Sequence, residues 1–256
     1  KTACEAYLSS VDDGSANAIA AKNLIAALEG IDCPTCKAIL KDKEFLAKKS
    51  NWVFGGDGWA FDIGFGGLDH VIASGEDINI LVFNTEVYSN TGGQSSKAAG
   101  KEIKQKDLAA IAMSYGYVYV AQVAMGADYN QCLKAFVEAE SYHGPSLIIA
   151  YAPCINHGIK GGMSIVQTEI KRAVEAGYWH TFRFDPRKTM EGKNPFQLDS
   201  KAPTADYKAF IENEVRYSSL VRQNPERADE LFAKATKAAK DKYDHLVRMS
   251  KLYDVE

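Results

Sequence analysis

Apolar residues in this chain follow two rhythms, and the change falls near residue 51. Before it, Ser15 to Leu28 (SANAIAAKNLIAAL) is Ala/Leu-rich at helical spacing, with Gly30 as a stop. Asp32-Cys33-Pro34-Thr35-Cys36 reads as a turn, and a charged helix is predicted from about Lys37 to Lys48. From Asn51 short apolar runs alternate with helical text. Trp52-Val53-Phe54 ends in Gly55-Gly56-Asp57-Gly58, a helix is predicted from about Ala60 to Ala73, and Ile78 to Phe83 (INILVF) is a second β-rich run. Strand, helix, strand in this order predicts a parallel βαβ unit with a right-handed crossover. The alternation continues through a helix at Lys106 to Tyr115, a strand at Tyr117 to Val123, a helix at Asp128 to Ser141, a strand at Ser146 to Tyr151 and a helix at Met163 to Gly177. Near-continuous apolar strands need cover on both faces. The expected fold class is therefore α/β, a mostly parallel sheet flanked by helices, with a helical C-terminal tail.

After Tyr178 the pattern breaks. Trp179 to Phe184 and Asn194 to Leu198 read as extended, around a turn at Asp185-Pro186. From Tyr207 onward the text is helical and highly charged, with too few apolar residues for a core of its own, so it is expected to wrap another surface. The organisation expected is a helical lead-in over 1–50, an α/β domain over 51–180 and an extended and helical tail over 181–256.

Composition narrows the function classes. The chain has 256 residues, 30 basic against 33 acidic, net −3, which argues against a surface built to grip nucleic acid or an anionic membrane. Hydrophobic content of 46% and charged content of 25% suit a folded globular protein. No apolar run approaches the roughly 18 residues of a membrane span. The start, Lys1-Thr2-Ala3-Cys4-Glu5, has neither Met nor an apolar signal core and reads as a fragment or processed end. Five cysteines, Cys4, Cys33, Cys36, Cys132 and Cys154, do not make a secreted disulfide framework, so a reducing compartment is expected.

Candidate chemistry concentrates past two strand ends. Gly56-Asp57-Gly58 follows the first predicted strand, and Asn84-Thr85-Glu86-Val87-Tyr88-Ser89-Asn90-Thr91-Gly92-Gly93 follows the second. Open α/β sheets bind ligands at this edge. Glycine lets backbone approach a ligand, and a helix N-terminus near Trp59 offers N–H groups to an anion. A carboxylate beside phosphate oxygens calls for a bridging divalent cation, usually Mg²⁺ with oxygen ligands, and the Thr85 hydroxyl and a nearby carbonyl can complete its shell. Gly-Asp-Gly by itself is most often a turn, and Asp57 could simply cap the following helix. The second oxygen- and glycine-rich segment on the neighbouring strand end favours the ligand site.

The stretch GGDGWAFDIGFGGLDHVIASGEDINILVFNTEVYSNTGGQSSKA closely resembles the thiamine-diphosphate domain of pyruvate:ferredoxin (flavodoxin) oxidoreductases. APCINHGIKGGM and NPFQLDSKAP resemble the same family's C-terminal region, so the likeness runs from about Asn51 to Ala202. The resemblance implies that Gly56, Asp57, Gly58 and Trp59 hold the diphosphate and its metal. It implies Mg²⁺ ligation by Asp57, the Thr85 side chain and the Val87 carbonyl. Thr85, Glu86, Val87, Tyr88, Ser89 and Asn90 would line the cofactor, with Asn90 as the catalytic residue facing the substrate. Asn84 stands where the family often has Asp. Cys154, read alone a buried hydrophobe, would ligate a four-iron four-sulfur cluster whose other ligands lie in a family segment absent from this chain. After Ala98 the family usually has a longer loop than Ala99-Gly100-Lys101 provides.

The parent activity so implied is oxidation and decarboxylation of pyruvate with coenzyme A to acetyl-CoA and CO₂, electrons passing through iron–sulfur clusters to ferredoxin or flavodoxin. The thiamine supplies the electron sink. The glutamate that activates the aminopyrimidine comes from another domain, so the isolated chain is expected not to turn over pyruvate. A homodimeric full-length enzyme is implied, cytoplasmic or in an organelle. The alternatives are the thiamine domain of a pyruvate:NADP⁺ or other 2-oxoacid oxidoreductase, or a non-catalytic module that keeps the fold. Cys33 and Cys36 have iron–sulfur or zinc spacing but no fourth partner, and read as free thiols on a surface turn. Cys4 reads as an exposed end and Cys132 as helix packing. Of the five histidines only His157, near Cys154, is a candidate polar neighbour of the cluster or cofactor.

Overall fold

A computed structural model describes residues 1–98 and 105–252. The expectation about the loop at Ala99-Gly100-Lys101 lies outside the described residues. The chain divides into two compact units, Lys1–Asn51 and Trp52–Glu256.

The first unit is helical: α1 (Thr2–Ser9), α2 (Gly14–Leu28) and α3 (Pro34–Lys41), followed by a 3₁₀ turn at Lys43–Phe45. Asp13 caps α2 by accepting the Ala16 amide at 2.9 Å. The buried Asn17 side chain accepts the Lys48 amide at 2.6 Å. The turn expected at Cys33–Cys36 is instead the start of α3, with Cys33 at the N-cap and Pro34 at the first helical position, which proline's fixed φ favours.

The second unit holds a six-stranded sheet. Its elements in order begin with β1 (Trp52–Gly56), a π-helix (Gly58–Ile63), α4 (Phe65–Ala73) and β2 (Asn79–Asn84). A small hairpin of β3 (Val87–Tyr88) and β4 (Gln94–Ser95) follows, then α5 (Leu108–Met113), β5 (Tyr119–Val123), α6 (Tyr129–Glu140) and β6 (Ser146–Tyr151). The remainder is α7 (Val166–Glu175), β7 (Phe182–Phe184), α8 (Arg187–Met190), β8 (Phe196–Leu198), α9 (Tyr207–Ile211), α10 (Val215–Gln223) and α11 (Pro225–Ser250). The sheet order is β1-β2-β6-β5-β7-β8. The first four are parallel, β7 adds antiparallel to β5, and β8 adds antiparallel to β7. A mostly parallel α/β sheet with a helical tail is thus what the chain forms.

Strand alternation sends Ile80, Val82, Leu147 and Ile149 to one side and Leu81, Ile148, Tyr119 and Ala121 to the other, so each face has its own core. Residues beyond 180 take part. Phe182, Phe196, Phe210, Ile211, Phe232 and Leu246 belong to the larger core with Leu68 and Ile72 of α4. The extended stretches predicted around Asp185-Pro186 are the last two strands of the main sheet, β7 and the edge strand β8, and the charged helices lay their few apolar residues on the same core.

Candidate functional site

The register of β1, β2 and β6 sets the site. Gly56 lies opposite Phe83 and Asn84 opposite Tyr151, so three neighbouring parallel strands end at one edge. From that edge emerge Asp57, Thr85 and the segment carrying Cys154. The helix expected from Ala60 is in fact a π-helix turn followed by α4. In the π-helix the Gly64 amide donates to the Trp59 carbonyl at 2.9 Å, five residues apart, a bulge that recurs at functional sites.

Two glycines here are fixed by close approach. A Cβ on Gly58 would fall inside the Tyr88 ring, and one on Gly55 inside the Trp59 indole. Gly56 differs: a Cβ there would meet nothing within 4 Å, so its backbone stands open at the strand end.

Asp57 is buried, 1% exposed, and makes no capping bond to the helix it precedes. Its Oδ1 accepts from the Thr85 hydroxyl at 2.8 Å and the Thr85 amide at 3.2 Å, and its Oδ2 from the Ser96 hydroxyl at 3.3 Å. All three donors are neutral. Burial pushes the Asp57 carboxyl above the usual carboxylate range, and the Thr85 and Ser96 donors only partly offset it. Thr85 Oγ1 lies 2.8 Å from both Asp57 Oδ1 and the Val87 carbonyl oxygen. One hydroxyl proton cannot satisfy both contacts at full strength. Three oxygens from two strand ends therefore converge around one proton, a donor set that suits a hard cation.

Tyr88 donates to Asp62 at 3.2 Å, and Lys97 pairs with Asp62 at 2.8 Å. Ser89 and Asn90 sit on a 3₁₀ turn, Asn90 exposed. The Ser89 carbonyl accepts from the Asn156 amide at 3.0 Å, which ties this turn to the Cys154 segment. Cys154 is half-buried with a free thiol. His157 is fully buried. Its Nδ1 accepts the Cys154 amide at 3.1 Å and lies 3.5 Å from Sγ, which leaves the ring proton on Nε2. Burial, helped by the charge of Arg216, pushes its pKa down to about 3.

Glu86 departs from the role its neighbours suggest. Its backbone is left-handed at φ 60, a conformation costing a non-glycine residue roughly 1–2 kcal/mol. The Asn84 side-chain oxygen accepts the Glu86 amide at 3.1 Å, so the Asn84 departure shapes this turn. The Glu86 carboxylate points away from Asp57's partners and is bound by Arg216 Nη1 at 2.8 Å and by the Tyr178 hydroxyl. Arg216 also donates through Nε to Glu214 at 2.6 Å and through Nη2 to Tyr178 at 3.1 Å. Arg216, Glu214 and Tyr178 were not singled out from the sequence. Glu214-Val215-Arg216 reads there as more of a solvated, charged helix, and only its fold-back onto residues 84–90 reveals it.

Among the described residues no cluster of three or more His, Cys, Asp or Glu could hold a metal, and Cys33 and Cys36 are free thiols. Cys4 is exposed and Cys132 buried.

Residues 30–150 match the family model described as thiamine pyrophosphate enzyme, C-terminal TPP binding domain. The chain carries that domain. It is 52% identical over 269 residues to the pyruvate:ferredoxin oxidoreductase of Moorella thermoacetica, a match covering 98% of the chain and 23% of that protein. It is 53% identical over 240 residues to the pyruvate-flavodoxin oxidoreductase of Klebsiella pneumoniae, covering 90% of the chain and 20% of that protein. A mitochondrial pyruvate dehydrogenase (NADP+) of Euglena gracilis is 52% identical over 207 residues, covering 77% of the chain and 11% of that protein. The chain thus spans less than a quarter of each of these relatives. The family resemblance read from the sequence is borne out by these names. The matched thiamine pyrophosphate domain holds both Asp57 and the 84–90 segment.

Proposed function

We propose that this chain is the cofactor-anchoring part of an oxidoreductase that converts pyruvate and coenzyme A to acetyl-CoA and CO₂ and passes electrons to ferredoxin or flavodoxin. The observation that carries the reading is the convergence of Asp57 Oδ1, Thr85 Oγ1 and the Val87 carbonyl. Mg²⁺ would be held by those three groups, with diphosphate oxygens and water filling the octahedron. A dication beside Asp57 supplies the charge its neutral donors do not, and it favours the ionised carboxylate that burial alone opposes. The open backbone at Gly56, with Asp57, Gly58 and Trp59, would receive the diphosphate. The uncapped first turn of the helix presents N–H groups to the same anion.

Thiamine diphosphate supplies the electron sink for decarboxylation when bound. The residues of this chain position it: the anchor fixes one end, and Thr85 to Asn90 line its flank. Exposed Asn90 would hydrogen-bond the substrate. Cys154, thiol free at the same sheet edge, would give one thiolate to a four-iron four-sulfur cluster, the other ligands coming from outside this chain. Turnover of pyruvate by the chain alone is therefore not expected. The Euglena relative supports a second reading, in which the electrons go on to NADP⁺. A homodimeric parent in cytoplasm or organelle fits both. Among the described residues no helix is long and apolar enough to cross a membrane.

Titration calorimetry with thiamine diphosphate tests the anchor. Binding that requires Mg²⁺ and disappears in Asp57→Ala is expected. Binding that ignores Mg²⁺, or survives the substitution, would overturn it. Pyruvate-dependent dye reduction by the pure chain would overturn the claim of inactivity.

A further inference from the structure

We infer that Arg216, on the C-terminal tail, is the positioning residue that sets the metal-binding turn through Glu86. The inference rests on the cofactor reading above and extends it to a segment outside the matched domain.

The geometry is a clamp. Glu86 sits between Thr85 and Val87, the two residues of this turn that would ligate Mg²⁺. Its left-handed backbone lets the chain reverse so that the Val87 carbonyl returns to within 2.8 Å of Thr85 Oγ1. Glutamate has no intrinsic preference for that conformation. Two contacts hold it: the Asn84 oxygen on its amide, and Arg216 Nη1 at 2.8 Å with Tyr178 on its carboxylate, the residue being 6% exposed. Arg216 is itself immobilised. Nε binds Glu214 at 2.6 Å, Nη2 binds Tyr178 at 3.1 Å, and the guanidinium lies over the Tyr217 ring at 4.6 Å. Each of its three nitrogens donates to a neighbour, as the planar fork allows.

The same anchor grips the second arm of the site. The Val215 amide donates to the Gly158 carbonyl at 3.0 Å, and the Lys160 amide to the Asn213 carbonyl at 3.0 Å. Those bonds fix the turn whose His157 accepts the Cys154 amide. Residues 213–216 therefore touch both the metal-binding turn and the cysteine segment. Removing the clamp frees Glu86 to leave the left-handed region and carries the Val87 carbonyl away from Asp57.

The test uses the 256-residue chain, with thiamine diphosphate and Mg²⁺ as probes. Arg216→Met should weaken Mg²⁺-dependent binding roughly tenfold or more, the scale of one lost charge-assisted contact. It should also speed hydrogen exchange of the amides at 86–88. The decisive readout is rescue. Glycine adopts positive φ freely and alanine does not. Glu86→Gly in the Arg216→Met background should restore binding, and Glu86→Ala should not, although both remove the stranded carboxylate. Equal rescue would mean the pair serves only to neutralise buried charge and would overturn the inference, as would undiminished binding by Arg216→Met. If Arg216→Met does not fold, Arg216→Lys, which keeps the charge and loses the fork, takes its place with the same outcomes. If the wild-type chain binds no cofactor, the proposed function fails on its own. Exchange at 86–88, with the glycine and alanine variants compared, then still decides whether Arg216 sets the turn.

Discussion

Two arginines bind carboxylates inside the second unit, Arg183 buried and Arg216 half-buried, and they are used differently. Arg183, on β7, binds Asp199 through Nε at 2.9 Å and Nη2 at 2.8 Å and Glu138 through Nη1 at 2.6 Å. The remaining Glu138 oxygen accepts from Tyr119 at 2.9 Å, and Gln131 adds a bond to Asp199 at 2.9 Å. Every oxygen of both carboxylates has a donor. Arg216 serves a network that is less complete. Glu214 Oε1 has no partner among the described residues, nor do the neighbouring Tyr151 hydroxyl and His157 Nε2. That network also carries the one non-glycine residue with positive φ among the described residues, Glu86. A network whose carboxylate oxygens are all paired, although Gln131 Oε1 is not, fastens β7 to the sheet. An unsaturated one, holding a backbone in a conformation it does not prefer, shapes a site.

The largest effect expected from this contrast is on global stability. Arg183→Met removes the buried cation from between the half-buried Glu138 and Asp199, and breaking such pairs costs about 3–5 kcal/mol. Urea unfolding should show that drop, with cofactor binding by the folded fraction unchanged. Arg216→Met should cost less stability and more binding, because Glu214 can escape by taking a proton. The contrast breaks if Arg183→Met is the variant that loses cofactor.

The next effect separates Glu214 by pH. Burial, opposed by Arg216, pushes its pKa up to about 7 from 4.5. Between those values the native state holds a proton the unfolded chain has released, so this group's contribution to stability falls as pH rises. The full shift corresponds to roughly 3 kcal/mol. His157 and His180, pushed mainly by burial down to about 3 and about 4, act oppositely. There the unfolded chain takes up protons the native state refuses, and stability rises with pH up to about 6.5. The two effects overlap, so the measurement is a difference. Glu214→Gln should gain stability relative to wild type steadily from pH 4.5 to 7, by denaturant titration. A constant difference across that window would show that Glu214 is already ionised at low pH.

How much of this was legible beforehand follows from the range of the interactions. The parallel strands announce themselves because each is a near-continuous apolar run rich in β-branched and aromatic residues, and Gly-Asp-Gly marks a strand end by local composition. Asp57 and Thr85 meet because those two strands are neighbours, which a βαβ reading already entails. Arg216 was illegible. Its partners Glu86 and Tyr178 are 130 and 38 residues away, and its own surroundings are those of a charged surface helix. The tail from Tyr207 reads as wrapping another surface because apolar residues are sparse there, and Phe210, Phe232 and Leu246 reach the main core one at a time. The α3 start was misread as a turn although Pro34 following Cys33 is an N-terminal signal.

A smaller effect concerns Asp57 itself, and it sets the site against the scaffold. Its burial raises its pKa, and its donors are neutral, so without a cation the ionised form is held at a cost. Asp57→Asn removes the charge, keeps a carbonyl oxygen for the two Thr85 donors and turns an NH₂ toward Ser96, whose hydroxyl can accept from it. It should stabilise the metal-free chain by about 1 kcal/mol, as relief of functional strain commonly does. It should also abolish Mg²⁺-dependent binding of thiamine diphosphate. The opposite pairing, lower stability with retained metal dependence, would make Asp57 a scaffold residue like Asp199. Adding Mg²⁺ and cofactor during thermal unfolding sharpens the point. The wild type should rise in Tm with ligand concentration while the variant does not. The two curves should cross where the gain from ligand matches the gain from losing the charge. That crossing is the signature of a residue kept for the ligand it binds and not for the fold it sits in.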